Sequence, residues 1–178
     1  MGFKFSQRSK DRMNGLHPDI VSVMDLAIER SPIDFTVLEG LRSEERQKHL
    51  VKTGASKTMN SRHLTGHAID VAPMLNGSVS WDWPLYHKLA PVIKQAANEL
   101  GVDLEWGGDW TTFKDGPHWQ LSWVTYPKGD MTPRAYIHDD YDPVRSGQYV
   151  QIIADHVPVT RPTSWWADII AAIKGLFK

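Results

Sequence analysis

At 178 residues, with 20 basic against 21 acidic side chains and a net charge of −1, the chain suits one compact domain plus an appendage. Its balanced charge speaks against a nucleic-acid polyanion as partner. The absence of cysteine excludes a disulfide scaffold and a thiolate metal site, so any metal must be held by histidine and carboxylate.

The N-terminus lacks the roughly 7–15-residue apolar run of a secretory signal, so the chain is expected to accumulate in the cytoplasm of the cell that makes it. From Pro18 to about Arg30, Ile20, Met24, Ala27 and Ile28 recur near the spacing of an amphipathic helix, which Ser31-Pro32 stops. Ile33, Phe35 and Val37 then alternate with Asp34 and Thr36, predicting a strand that ends at Gly40, with Arg42 just beyond its edge. Ser43 suits the N-cap of the next helix, Glu44 and Glu45 favour its first turn, and Gly54 closes it. A polar loop from Ala55 to Asn60 follows. Further on, Asn76-Gly77 marks a turn. Asp82 is expected to cap a long helix that tolerates Pro84 in its first turn and stops at Gly101. Val102 to Trp106 reads as a short strand before Gly107-Gly108. This order predicts an α+β fold, a small antiparallel or mixed sheet flanked by helices.

Between these elements lies Ser61-Arg62-His63-Leu64-Thr65-Gly66-His67-Ala68-Ile69-Asp70, to be taken together with Asp115-Gly116-Pro117-His118. Strand alternation over His67 to Ala72 puts Ala68, Asp70 and Ala72 on one face, leaving room beside Asp70 for an ion. Gly66 allows the turn that folds His63 back towards it. In the second segment, His118 and Gln120 alternate with Trp119, Leu121 and Trp123, which are expected to pack inwards. His63, Asp70 and His118 form the three-ligand set of a catalytic zinc, with the fourth position left for water, and Asp115 is free to act as a base. A helical His63/His67 pair of metalloprotease type is a competing reading. No Glu follows His63, Gly66 breaks the helix and His67 falls on the face opposite Asp70.

The pattern Ser61-x-His63-x-x-Gly66-x-Ala68-x-Asp70 with Asp115-x-x-His118 resembles the zinc peptidases that include D-alanyl-D-alanine dipeptidases and carboxypeptidases and the L-alanyl-D-glutamate endopeptidases of bacteriophages. It is closest to the phage endolysin branch. The resemblance runs from about Phe5 to Trp123 and includes Phe5-Ser6-x-Arg8-Ser9, Glu39-Gly40-Leu41-Arg42, Ser56-Lys57-Thr58-Met59-Asn60 and Trp106-Gly107-Gly108-Asp109-Trp110. It implies a Zn²⁺ enzyme that cuts the peptidoglycan stem peptide during host cell lysis, and an aspartate base favours the L-alanyl-D-glutamate bond. The alternatives are a D-alanyl-D-alanine carboxypeptidase or dipeptidase, and a non-catalytic, zinc-stabilised wall-binding domain. The resemblance also gives Arg42 the reacting carbonyl to face and Ser61 a hydrogen bond to substrate. Ser61 reads equally well as a turn former.

The catalytic domain is expected over residues 1–130 and a linker or wrap-around segment over 131–163. A C-terminal amphipathic helix is expected over 164–178, with Trp166, Ile169, Ile170, Ile173 and Phe177 on one stripe. That helix is too short to span a bilayer, which takes about 20 apolar residues. It either docks on the protein or touches a membrane surface. With no signal recognised, access to the wall is expected to depend on a separate holin-like partner.

Overall fold

An antiparallel sheet backed by two helices positions the site, and the computed structural model describes residues 2–134 of the chain. Most of the expected linker over 131–163, and the whole of the helix over 164–178, lie outside the described residues. The elements are α1 (Gln7–Arg12), α2 (Pro18–Arg30), β1 (Phe35–Glu39), α3 (Glu44–Lys52), β2 (Ala68–Leu75), β3 (Ser78–Val79), α4 (Trp83–Glu99), β4 (Leu104–Trp106) and β5 (His118–Leu121). Short 3-10 turns cover Arg62–Thr65 and Gly107–Asp109. The strands run in the order β1-β2-β5-β4, with β3 added to β2, and every pairing is antiparallel.

Local chemistry explains most element boundaries. The His17 ring accepts from the Asp19 amide at 3.2 Å and so caps α2, and the Ser43 hydroxyl accepts from the Arg46 amide to start α3. Asn76 and Gly77 both hold positive φ, 51° and 77°, as the tight turn of the β2-β3 hairpin requires. Two details depart from expectation. Asp82 occupies the N-cap position of α4 but makes no cap hydrogen bond, because its carboxylate accepts from the Ser80 hydroxyl instead. The six-residue α1 is too short for periodicity to reveal. It is held by Ser6, which accepts from the Ser9 amide, and by the Ser9 hydroxyl, which lies 3.0 Å from that of Thr36 on β1.

The core lies between the sheet and the helices. Ile69, Trp119 and Trp106 form a buried row across β2, β5 and β4, with the two indoles stacked at 5.7 Å, and α2 and α4 contribute Ile20, Met24, Leu89 and Ile93 to the same cluster. Burying each such side chain stabilises the fold by about 1.5–3 kcal/mol. Because successive side chains alternate in direction, the neighbours of this row, Asp70 on β2 and its cross-strand partner His118 on β5, emerge on the other face. A bulge in β1 extends the polar row. Val37 pairs with Val71 while Glu39, not Leu38, pairs with Asp70, so a carboxylate takes the place of an apolar side chain beside the site.

Leu121 and Trp119 pack inwards as expected, whereas Trp123 does not: it is 38% exposed and lines the cleft. The cause is Arg62, a fully buried cation. Its guanidinium donates to the carbonyls of Leu121, Ser122 and Tyr126, and lies 4.3 Å over the Trp123 ring. The turn after β5 is thereby folded round Arg62, and Trp123 is drawn out of the core to cover it. Beyond the turn, the Tyr126 hydroxyl and the Arg134 amide both donate to Oδ2 of the buried Asp19, tying residues 126–134 to the start of α2. Among the described residues no helix is long and apolar enough to cross a membrane.

Candidate metal centre and active-site cleft

His63, Asp70 and His118 are brought together by three separate devices. His63 sits in the 3-10 turn that Ser61 caps by accepting from the His63 amide, and Gly66 ends the turn with φ at 71°. A Cβ on Gly66 would lie 2.3 Å from the Gly15 carbonyl oxygen, so no other residue fits there. Asp70 and His118 face each other as cross-strand partners. The donor atoms form a near-equilateral triangle. His63 Nε2 is 3.2 Å from His118 Nδ1 and 3.3 Å from Asp70 Oδ1, and His118 Nδ1 is 3.1 Å from Asp70 Oδ1. Tetrahedral ligands at ordinary zinc distances stand about 3.3–3.5 Å apart, close to these edges.

Neighbouring groups fix which ring nitrogens carry hydrogen. His63 Nδ1 lies 2.8 Å from the carbonyl of Gly40, which can only accept, so Nδ1 is the donor and Nε2 keeps its lone pair. For His118 the reasoning passes through two residues. The Glu105 carboxylate accepts from the amide nitrogen of Gln120 at 2.9 Å, which turns the amide oxygen of Gln120 towards His118 Nε2 at 3.2 Å. Nε2 therefore donates, and Nδ1 presents its lone pair to the triangle. Two imidazole lone pairs and a carboxylate oxygen converging on one point suit a metal ion. Among the described residues these three form the cluster able to hold one.

The electrostatics agree. Burial alone would push the Asp70 carboxyl up, but the charges and hydrogen bonds of His63 and His118 outweigh it and hold Asp70 well below the usual carboxylate range. Burial disfavours charge on His118, yet hydrogen bonding to Asp70 and the Asp70 charge raise its pKa overall. Both directions describe a spot that favours positive charge among the donors.

Asp115 lines the same cleft. Its backbone is pinned, the amide donating to the Gly107 carbonyl at 3.0 Å and its own carbonyl accepting from the His118 amide. A Cβ on Gly107 would meet the Asp115 carbonyl oxygen at 2.6 Å, so glycine permits this close approach. Burial and then the charge of Asp70 push the Asp115 carboxyl above its ordinary value, against the opposing influence of His118, His63 and Arg42. A carboxylate raised in this way is a better proton acceptor near neutrality.

Arg42 follows the β1 bulge and is almost fully buried. It donates to Gln47 Oε1 at 2.7 Å, to Glu39 Oε2 at 2.6 Å and to Asp70 Oδ2 at 3.4 Å, so part of its fork supports a candidate metal ligand. Ser61 does act as a turn former, and it also lies on the cleft wall. His67 is not part of the triangle. Its nitrogens meet the carbonyls of Thr65 and Asp130, which disposes of the His63/His67 pairing. Sequence reasoning missed the supporting roles of Glu39, Gln47 and Glu105, and for Gln120 it saw only the cleft-facing direction. The sequence signal for Gln120 is its position two residues after His118 on an alternating strand.

The cleft encloses about 470 Å³, room for a few residues of an extended peptide. Comparison with known proteins points the same way. A family profile described as phage L-alanyl-D-glutamate peptidase matches residues 1–121. The chain is 34% identical over 135 residues to the L-alanyl-D-glutamate peptidase of Escherichia phage T5, spanning 74% of this chain and 98% of that relative. It is 33% identical over 124 residues to the peptidoglycan L-alanyl-D-glutamate endopeptidase CwlK of Bacillus subtilis, spanning 60% of this chain and 73% of CwlK. The crystal structure of the Serratia marcescens L-Ala D-Glu endopeptidase ChiX superposes with a TM-score of 0.66 at 50% identity, covering 69% of this chain and 92% of that one.

Proposed function

The chain belongs to the phage L-alanyl-D-glutamate peptidase family, and on that premise we propose that it is a zinc-dependent endopeptidase cutting the L-alanyl-D-glutamate bond of the peptidoglycan stem peptide during host cell lysis. The observation that carries this reading is the triangle of His63 Nε2, Asp70 Oδ1 and His118 Nδ1 in a cleft it shares with Asp115 and Arg42. His63, Asp70 and His118 would hold the metal, and a zinc ion bound there would supply an acidified water, with a pKa of about 7, and a Lewis acid for the scissile carbonyl. Asp115 takes a proton from the attacking water and delivers it to the amine nitrogen as the C–N bond breaks. Arg42 has donors left beyond those given to Glu39, Gln47 and Asp70, and with these it stabilises the oxyanion. The Ser61 hydroxyl binds the peptide backbone from the cleft wall.

Mass spectrometry of purified peptidoglycan digested by the zinc-loaded protein, beside a chelator-treated sample, tests this reading. The expected result is fragments with a free D-glutamyl amino terminus that the chelator abolishes. Release of D-alanine alone would move the chain to carboxypeptidase chemistry, and zinc binding without cleavage would make it a wall-binding module.

The relatives from phages support a further element of the proposal: the protein reaches the wall from the host cytoplasm once a holin-like partner has opened the membrane. Residues 131–163 then serve as a linker or wrap-around segment, and residues 164–178 either dock on the protein or touch a membrane surface. Deleting 164–178 should abolish lysis from outside the cell and spare hydrolysis of purified wall. Equal loss of both would assign that segment a structural role.

A further inference from the structure

Trp110, Phe113 and residues of the loop 55–61 line the cleft, and Lys57 stands in that loop with its ammonium 5.9 Å from the centre of the Phe113 ring. The cleft also contains the cations Arg42 and Arg62, and both are engaged. Arg42 is bound to Glu39, Gln47 and Asp70, and Arg62 is buried on three carbonyls. Among the described residues of the cleft wall, Lys57 is the cation with no hydrogen-bonded or ion-paired protein acceptor.

Its loop is nevertheless built. Gln47, fully buried on α3, donates to the Ser56 hydroxyl at 2.8 Å and to the Thr58 carbonyl at 2.6 Å, clamping the residues on either side of Lys57. The amide oxygen of the same side chain accepts from Arg42. One glutamine thus sets the backbone that presents Lys57 and holds the arginine beside the metal triangle.

The chemistry of the substrate supplies what is missing. A glutamate residue within a peptide uses its amino group and one carboxyl group in the chain, and the other carboxyl group stays free and negative. At an alanyl-glutamate bond that charge lies one residue past the scissile carbonyl. It must enter a cleft in which Arg42 is already paired with Glu39 and Asp70, and a carboxylate that gives up its water there needs a cation of its own.

We propose that Lys57, carried on the loop clamped by Gln47, binds the free carboxylate of the residue on the leaving-group side and so selects glutamate there. The assignment rests on the peptidase reading above. Phe113 holds the ammonium over its face and leaves its N–H donors for the ligand.

The test pairs two peptides that differ in one group, an L-alanyl-D-glutamate substrate and the same peptide with that free carboxylate converted to a carboxamide. With Lys57→Ala, KM for the carboxylate peptide should rise roughly tenfold with kcat little changed, while KM for the carboxamide stays at the wild-type value. Lys57→Arg should restore most of the loss. Equal behaviour of wild type and Lys57→Ala on both peptides, or an equal loss on both, would overturn the assignment.

Calorimetric titration with the product peptide bearing an N-terminal D-glutamate reads the same contact without turnover, and Lys57→Ala should weaken that binding alone. If wild-type protein cleaved neither peptide yet bound the carboxylate form in a Lys57-dependent way, the peptidase reading would fail while the contact of Lys57 with the free carboxylate would stand.

Discussion

Gln120 orients His118: its amide oxygen lies 3.2 Å from Nε2 of the ring, and its amide nitrogen is spent on Glu105 at 2.9 Å. A leucine at 120 removes the acceptor and frees His118 to place its hydrogen on Nδ1, the atom aimed at the candidate metal site. Gln120→Leu should therefore weaken zinc binding about 10- to 100-fold, measured by competition with a chelating dye. Unchanged affinity would mean that the strand pairing alone orients the ring.

In the proposed mechanism Asp115 moves a proton, and the triangle of candidate metal donors is complete without it. Asp115→Ala should leave metal content nearly unchanged and lower turnover by about 10²- to 10⁴-fold, read by metal analysis and wall hydrolysis on the same preparation. A variant that keeps most of its activity would remove Asp115 from the role of base.

Arg62→Met should destabilise the fold by about 3–5 kcal/mol in urea unfolding, because the carbonyls of Leu121, Ser122 and Tyr126 lose their shared donor in a buried place. Arg62→Lys keeps the charge but not the fork and should fall between wild type and Met. The emission of Trp123, which the guanidinium covers, should shift in both variants.

A pH effect comes from Asp25 on α2, which burial pushes up to about 6 against the lowering influence of Lys10. A carboxyl raised in the folded state binds its proton more tightly than in the unfolded chain, so its contribution is present at low pH and is lost as pH rises through about 6. Asp25→Asn should match wild type near pH 4 and be more stable by about 1–3 kcal/mol at pH 8. Denaturant midpoints of the two proteins at both pH values check this, and a constant difference across the range would contradict it.

What could be read from the sequence was local in origin. Strand alternation put Asp70 and His118 on cleft-facing positions, and turn and cap residues bounded α2 and α3, because each of these depends on neighbours within a few residues. The partners that complete the site come from afar or break the period. Glu105 reaches His118 only through Gln120 and the β4-β5 pairing. Glu39 faces Asp70 only because a bulge shifts the register. Alternation makes Trp123 the next inward residue of β5, but Arg62, 61 positions earlier in the chain, recruits it as a cover. An arginine in a ligand motif gives no local sign that its acceptors are the carbonyls of a distant turn.

The anchoring of Tyr126 and Arg134 at Asp19 bears on where the protein can be dissected. Among the described residues the last strand ends at Leu121, and the family match ends there too, which makes that point an inviting place to cut. A fragment ending at 121 would leave the Asp19 carboxylate buried without its two donors and would remove two of the three carbonyls that hold Arg62. A fragment meant to fold by itself therefore has to include Arg134, and a graft onto another targeting module should be joined beyond it.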